Sequence, residues 1–232
     1  MGEGREFTVV VLISGRGSNC QNLIRQARNY SIVGVVSNNA DAGGFAYARE
    51  AGIEAIAVDR ESAGSLARQK QQIDSHIEEL APDLIALAGY MQILENDFVE
   101  RFEGKIVNIH PSLLPRFKGL DTHKRALQAF RQASGTTNPE HGCTVHYVDC
   151  GIDTGAIIAQ ARCRIIASDT EETLAARVLH LEHRLFPWVV NAIAANEIAY
   201  HDRQARFSQK VIEQAAEHGF LLPECASAME VG

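Results

Sequence analysis

The chain has 232 residues, of which 46% are hydrophobic and 22% charged, as is typical of a globular protein with its own core. Its formal net charge of -7 argues against a nucleic-acid backbone as the main partner, since such backbones are bound by clustered cations. No apolar run approaches the length that spans a bilayer, and the first residues, MGEGREF, contain no apolar h-region, so no secretory signal is expected. The five cysteines contain no C-x-x-C pair, which indicates a reducing compartment. We therefore expect a cytoplasmic protein with no membrane partner.

Short β-rich runs alternate with helical stretches in the first half of the chain, which predicts βαβ units and a largely parallel sheet. The first strand, FTVVVLI, is continuously apolar, as in a strand that is buried on both faces. Ser18 or Asn19 is expected to cap the helix that follows it. The strands are predicted at 7–13, 32–37, 56–58, 84–88 and 105–109, and the helices at 18–30, 43–51 and 62–80.

The pattern changes after a helix that is predicted over residues 122–133. Strands at 143–148 and 156–165 are separated by only seven residues, too few for a crossover helix, so we expect an antiparallel pair. A helix over 170–195 follows, with Leu174, Val178 and Leu181 spaced for one buried face. We therefore predict a Rossmann-like α/β fold, with a single domain over residues 1–200 and a peripheral tail over 201–232.

A glycine-rich turn, SGRGSN at 14–19, connects the first strand to a helix. Backbone N–H groups in such a turn bind anions, and the helix dipole strengthens the attraction. The dinucleotide fingerprint is incomplete, because Cys20 takes the place of its third glycine and Asn38 and Asn39 replace the acidic ribose ligand. NAD therefore fits poorly. A small phosphate site, such as one for a phosphoribosyl group, and a purely structural turn both remain open.

Asn108 and His110 alternate in the apolar run IVNIH at 106–110, so both side chains point the same way on the predicted strand. Pro111 ends that strand at once. Ligands of open α/β sheets bind beyond the carboxyl ends of the strands, so the pair is expected to face a crevice. An amide beside an imidazole suits carbonyl chemistry, in which negative charge develops on oxygen. The alternative is a turn cap and a structural histidine.

Two carboxylates, Asp149 and Asp153, lie in the sequence DCGIDTG between the two later strands. A carboxylate there could bind an imidazole, fix its tautomer and raise its pKa. The alternative is an Asx-type turn, which we favour for Asp149. The histidines form no H-E-x-x-H set, so no metal is expected, and no G-x-S-x-G elbow supports serine hydrolase chemistry.

Four segments, in this order, resemble the folate-dependent phosphoribosylglycinamide formyltransferases, the GAR transformylases of purine synthesis. They are SGRGSN at 14–19, AGYMQIL at 88–94, NIHPSLLPRFKGLDTH at 108–123 and HGCTVHYVDCGIDTGAIIAQ at 141–160. The likeness covers roughly residues 7–195. It implies transfer of the formyl group of 10-formyltetrahydrofolate to the primary amine of glycinamide ribonucleotide (GAR), without metal or NAD.

The resemblance also implies roles for individual residues. Asn108, His110 and Asp153 match the catalytic trio: Asn108 and protonated His110 stabilise an oxyanion, and Asp153 keeps His110 charged and helps to move a proton through water. The residues that match the GAR site are Gly15, Arg16, Gly17, Ser18, Asn19 and Glu182. Those that match the folate pocket are Met91, Gln92, Ile93, Leu94, Asn108, Asp149, Cys150, Gly151, Ile152 and Asp153.

The N-x-H-P-S-L-L-P core is shared with methionyl-tRNA formyltransferase and with 10-formyltetrahydrofolate hydrolases and dehydrogenases. The G-x-G-S-N loop and the net charge favour the GAR enzyme over these relatives, as does the expected absence of an OB-type domain and of an N-terminal regulatory domain. Two features depart from the pattern. Gln92 stands where an Arg is common, and the folate-side Arg has no clear counterpart because Arg68 is out of register.

Two alternatives to GAR formylation stay open. One is a formyl-transfer or formyl-hydrolase enzyme that uses the same trio on another acceptor. The other is a phosphoribosyl-binding module without activity, against which the intact trio argues. The expected partners are GAR and the formyl folate, and the sequence leaves a homodimer open.

Overall fold

The structure is a computed structural model that describes residues 5–133 and 139–223. Within these ranges the strands and helices follow in chain order as β1 (Thr8–Ile13), α1 (Ser18–Arg25), β2 (Ser31–Ser37), α2 (Gly44–Glu50), β3 (Ala55–Ala57), α3 (Arg60–Ala63), α4 (Leu66–Leu80), β4 (Leu84–Leu87), α5 (Asn96–Arg101), β5 (Ile106–His110), α6 (Thr122–Gln132), β6 (Glu140–Tyr147), β7 (Ile157–Arg164), α7 (Glu171–Ala194), β8 (Ile198–His201), β9 (Gln204–Phe207) and α8 (Gln209–His218).

The predicted fold class is confirmed. In the described part of the chain, seven strands form a sheet in the order β3-β2-β1-β4-β5-β6-β7. The strands from β3 to β5 pair in parallel. β6 and β7 pair antiparallel, as their short connection requires.

The chain divides into two compact units, one that ends at Asn108 and one that begins at Ile109. In the first unit, residues 9–13 of β1 are fully buried between β2 and β4. This burial explains the continuous apolar run of the first strand. Gly64 and Ser65 divide the helix predicted over 62–80, because Gly64 adopts φ 77 and the Ser65 side chain accepts a hydrogen bond from the amide of Arg68.

In the second unit, α7 packs on β6 and β7. Its N-terminus is closed by a capping box between Thr170 and Thr173. Leu174 and Val178 are buried as predicted, whereas Leu181 is half-buried and the next residue, Glu182, is buried. The helical face that contacts the sheet therefore carries one carboxylate.

The segment after residue 200, predicted to be a peripheral tail, has regular structure as far as it is described. β8 and β9 form an antiparallel pair, and α8 buries Val211 and Ala215. Gln160 and Leu221 exchange two backbone hydrogen bonds of 2.8 Å. Residues 224–232 lie outside the described part, and the division into residues 1–200 and 201–232 stays a prediction. None of the described helices is both long and apolar enough to cross a membrane.

Candidate active site

His110, the last residue of β5, has a buried imidazole between a carbonyl and a carboxylate. Its Nε2 lies 3.1 Å from the carbonyl oxygen of Phe117, and its Nδ1 lies 3.3 Å from Oδ2 of Asp153. A carbonyl only accepts hydrogen bonds, so Nε2 carries a proton. Neutral His110 then turns its Nδ1 lone pair towards Asp153, whereas the imidazolium form donates to both partners.

Asp153 lies in the loop between β6 and β7 and adopts φ 50, a left-handed conformation that Asp tolerates better than most residues. Its Oδ2 accepts a hydrogen bond of 2.8 Å from the amide of Gly119. Its Oδ1 lies 3.6 Å from Nε2 of His146, which is buried in β6. The carboxylate is therefore held between two imidazoles and a backbone donor, with only 13% of its side chain exposed.

Burial and charge act in opposite directions at this pair. Burial lowers the pKa of His110 below 6.5, although the Phe117 carbonyl and the negative charge of Asp153 both act to raise it. Burial acts to raise the pKa of Asp153, but hydrogen bonds from His146 and Gly119 and the charge of His110 outweigh it, so this pKa falls below 3.8. The lowered pKa of Asp153 leaves its side chain a carboxylate at neutral pH. The role of Asp153 in keeping His110 charged stays a prediction, because the negative charge of Asp153 acts to raise this pKa while burial of the imidazole lowers it.

Asn108 stands two positions before His110 on β5 and is half-buried. Strand alternation gives the two side chains the same direction, as predicted. Pro111 follows directly, and the strand ends at His110.

The loop that carries Asp153 is organised by Asp149. Oδ1 of Asp149 accepts hydrogen bonds from the amide of Gly151 at 3.1 Å and from Oγ1 of Thr154 at 2.6 Å. This is the Asx-type turn favoured for Asp149. Cys150 and Ile152 project outwards, with 60% of Ile152 exposed. The backbone of the loop and one apolar side chain are thus available to a ligand.

Glu182, assigned to GAR by the resemblance, is buried in the middle of α7. Burial raises the pKa of the Cys143 thiol, and the nearby charge of Glu182 adds to this effect. The carboxylate is therefore close to β6 within the second unit.

In the first unit, the glycine loop is built from backbone groups. Gly17 is the N-cap of α1 with φ 73, and a Cβ there would overlap the Cα of Gly44. No side chain caps α1, so the cap predicted at Ser18 or Asn19 is wrong. The amides of the first helical turn therefore keep their capacity to bind an anion.

Ser14 joins this loop to the segment predicted to bind folate. Its Oγ donates to Oδ1 of Asn38 at 2.6 Å and accepts from the amide of Met91 at 2.9 Å. Beyond this contact, Met91 and Ile93 are 72% and 70% exposed. Two apolar side chains thus face outwards next to the glycine loop, within the first unit.

Gln92 and Leu94, the other members of this segment, are half-buried. The Gln92 side chain donates to Oε1 of Gln69 at 2.9 Å and accepts from the Tyr90 hydroxyl at 3.3 Å. It is turned into the protein, so a ligand contact at this position would use the backbone. Arg68 is exposed on α4.

Sequence reasoning missed three partners of the pair His110 and Asp153: Phe117, Gly119 and His146. Phe117 and Gly119 act through backbone groups, which leave no signal in residue type. His146 shares one face of β6 with Thr144 in the run TVHYV, and two inward polar residues in an apolar strand are the signal that could have found it.

The fold and this pair define an α/β protein whose buried imidazole and carboxylate suit proton transfer or oxyanion stabilisation. The formyl transferase family matches residues 7–190, and the chain belongs to this family. Phosphoribosylglycinamide formyltransferase of Escherichia coli (strain K12) is 38% identical over 203 residues, which are 86% of this chain and 92% of that protein.

Two further relatives extend the comparison. The trifunctional purine biosynthetic protein adenosine-3 of Gallus gallus is 42% identical over 194 residues, which are 82% of this chain but only 19% of that protein. The crystal structure of phosphoribosylglycinamide formyltransferase from Brucella melitensis is 46% identical, with a TM-score of 0.74. Its match covers 82% of this chain and 97% of that one.

Proposed function

We propose that this chain is a phosphoribosylglycinamide formyltransferase of de novo purine biosynthesis. It transfers the formyl group of 10-formyltetrahydrofolate to the amine of GAR and gives formylglycinamide ribonucleotide and tetrahydrofolate. The observation that carries the proposal is the contact between His110 and Asp153, in a chain that matches relatives of this name over nearly their whole length.

In the proposed reaction the amine of GAR attacks the formyl carbon directly, and negative charge develops on the formyl oxygen. Asn108 and His110 donate hydrogen bonds to this oxygen. In the structure the Nε2–H of His110 contacts the Phe117 carbonyl, so in the proposed reaction it turns from that carbonyl to the formyl oxygen. Developing negative charge beside the imidazole favours its protonation and so offsets the lowering of its pKa by burial.

Asp153 supports the second nitrogen of His110 and, through water, helps to move a proton from the attacking amine to the leaving folate nitrogen. Its lowered pKa supports this role, because an ionised carboxylate is present throughout the neutral range. The Gly119 amide donates to Oδ2 of Asp153, the oxygen that also faces His110, and His146 lies against the other oxygen, Oδ1.

The substrate sites are proposed from the resemblance together with the local geometry. In the first unit, the backbone of residues 15–19 at the uncapped start of α1 is the proposed site of the GAR phosphate. In the second unit, the resemblance assigns Glu182 to the glycinamide part. For the folate, the resemblance assigns residues 91–94 of the first unit, where Met91 and Ile93 are exposed, and residues 149–153 of the second unit, where Ile152 is exposed.

The proposed substrates are small molecules, and the formyl folate serves as co-substrate. We propose no role for a metal ion or NAD. A homodimer and a cytoplasmic location stay predictions from the sequence.

The test is a formyl-transfer assay with GAR and 10-formyltetrahydrofolate, with an identical reaction that lacks GAR. We expect tetrahydrofolate to form only when GAR is present, together with formylated GAR. Tetrahydrofolate formation without GAR would instead identify a formyl hydrolase. Binding of GAR without any turnover would identify a phosphoribosyl-binding module.

A further inference from the structure

Thr144 and Gln160 hold the backbone that follows His110. The Thr144 hydroxyl, buried in β6, donates to the carbonyl of Ser112 at 2.6 Å and accepts from the amide of Leu114 at 3.0 Å. The Gln160 side chain, on β7, donates to the same hydroxyl at 2.8 Å and to the carbonyl of Leu114 at 2.9 Å. One hydroxyl and one carboxamide thus bind three backbone groups of residues 112–114.

The clamped segment leads directly to the two backbone groups that contact the catalytic pair. Ser112 donates its amide to the carbonyl of His110 at 2.9 Å, at the start of the segment. Five residues further on, the Phe117 carbonyl contacts His110, and the Gly119 amide then binds Asp153. Phe117 has φ 56, a conformation that a bulky residue rarely adopts unless its surroundings hold it.

We propose that Thr144 and Gln160 are positioning residues for formyl transfer. By fixing residues 112–114 they determine where the following turn places its carbonyl at His110 and its amide at Asp153. This proposal rests on the proposed function. It states that two side chains that do not touch the reacting atoms help to set the geometry of the active site.

The hydrogen-bonding capacity of Thr144 explains why an apolar residue at this position could not hold residues 112–114. A hydroxyl has one donor and two acceptor sites, and all three are used here. Valine has the same shape, but it would leave the Ser112 carbonyl and the Leu114 amide buried without this partner. The segment would then shift to recover hydrogen bonds, and the turn beyond it would move.

The experiment compares Thr144→Val, Thr144→Ser and Gln160→Met with the unchanged chain. Thr173→Val is the matched control, because it removes a hydroxyl that caps α7 instead of one that binds residues 112–114. Two readouts are taken: kcat and KM for GAR and the folate, and NMR spectra of the Gly119 amide and of the His110 imidazole across pH.

We expect Thr144→Val to lower kcat by up to about 100-fold, the effect of a displacement of roughly 1 Å in a reacting geometry, with a much smaller change in the KM for GAR. The Gly119 amide and the His110 titration should shift in the same variant. Thr144→Ser should restore both readouts, since it returns the hydroxyl. Thr173→Val should lower thermal stability alone.

A folded Thr144→Val variant with unchanged kcat and unchanged Gly119 and His110 signals would overturn the proposal. So would a Thr144→Ser variant as slow as Thr144→Val, since the hydroxyl would not then be the cause. If Thr144→Val does not fold, Gln160→Met applies the same two criteria. An unchanged chain that lacks GAR-dependent transfer would overturn the proposed function instead, and the NMR readout would still decide whether Thr144 positions the pair.

Discussion

The glycine loop of the first unit and the proposed catalytic pair of the second present different kinds of groups. The loop offers backbone amides, arranged by Gly17 at φ 73, whose charge state does not change with pH. The pair consists of the buried His110 and the half-buried Asp153, whose pKa values are both lowered. Fixed dipoles suit a ligand that is an anion at every working pH, such as a phosphate, whereas titratable groups suit a reaction in which charge appears and protons move.

This difference predicts which kinetic parameter changes when each region is mutated. A change in the loop removes attraction that is equal in the bound substrate and in the transition state, so it raises KM. A change in the pair removes an interaction that is strongest in the transition state, so it lowers kcat. Four substitutions, in order of expected effect, test this division.

The largest effect is expected for His110→Ala. The substitution removes a donor to the developing oxyanion, and loss of one such donor typically lowers kcat by about 10²–10³. Affinity for GAR, measured by calorimetry, should change little. His76→Ala, at an exposed histidine on α4, is the control. Near-normal turnover in His110→Ala would remove this residue from the mechanism.

The second substitution, Asp153→Asn, keeps the size of the side chain and removes its charge. The negative charge of Asp153 acts to raise the pKa of His110, so the variant should have a lower His110 pKa than the unchanged chain. We expect kcat to fall by about 10², at the low end of general acid–base effects, with little change in substrate affinity. An NMR titration of His110 in both proteins measures the shift.

Asp153→Asn should also change the acid stability of the fold. The folded-state pKa of Asp153 is lowered, so its ionisation contributes stability above about pH 3.8 that is lost as the pH falls through the folded value. The free energy of unfolding of the variant should therefore depend less on pH in this acid range. If the NMR titration instead gives the same His110 pKa in both proteins, Asp153 does not act on the imidazole and is only a turn residue.

The sequence could predict much of the pair, because its two members carry local signals. Alternation in IVNIH placed Asn108 and His110 on one strand face, and the flanking glycines marked the loop of Asp153. The sequence could not predict the amide of Gly119 as a partner of Asp153, since the two are 34 residues apart and a backbone donor has no residue signature. Nor could it predict that desolvation would outweigh charge at His110, because burial depends on tertiary packing.

The fold, too, could be predicted only where the sequence carries a local pattern. The strongly apolar strands and the antiparallel pair followed from residue patterns, whereas α5, β8, β9 and α8 are short or polar elements that were not predicted. α8 has only Val211 and Ala215 buried, too little apolar periodicity to recognise without its neighbours. The glycine loop was found, but its role was left open because Gly17 is needed for its backbone angles whether or not a ligand binds.

The third substitution, Gly15→Ala, is designed to separate these two uses of glycine. A Cβ at Gly15 meets no protein atom within 4 Å, so the loop tolerates it, whereas at Gly17 it would overlap Gly44 in a left-handed backbone. If the GAR phosphate approaches Gly15 closely, the added methyl group should raise the KM for GAR on the order of tenfold, equivalent to about 1.4 kcal/mol, and leave the folate KM unchanged.

Gly17→Ala is the comparison for this test, and it should lower the thermal stability of the protein itself. A Gly15→Ala enzyme with an unchanged KM for GAR would show that the phosphate does not lie against this residue. An equal rise in the KM for GAR and in the KM for the folate would mean that the loop is a structural turn only.

The smallest effect is expected at Asp149, whose side chain holds the turn that carries Asp153. Asp149→Ala removes two hydrogen bonds, from Gly151 and Thr154, at an exposed position, so the free energy of unfolding should fall by roughly 1 kcal/mol. If the folate binds the backbone of this turn, its KM should rise several-fold while the KM for GAR is constant. Asp149→Asn retains the accepting oxygen and should behave like the unchanged chain in thermal unfolding and in both KM values. A folate KM that rises equally in Asp149→Asn would show that the charge of Asp149 itself contacts the folate, and the turn would then bind its ligand through a side chain, unlike the glycine loop.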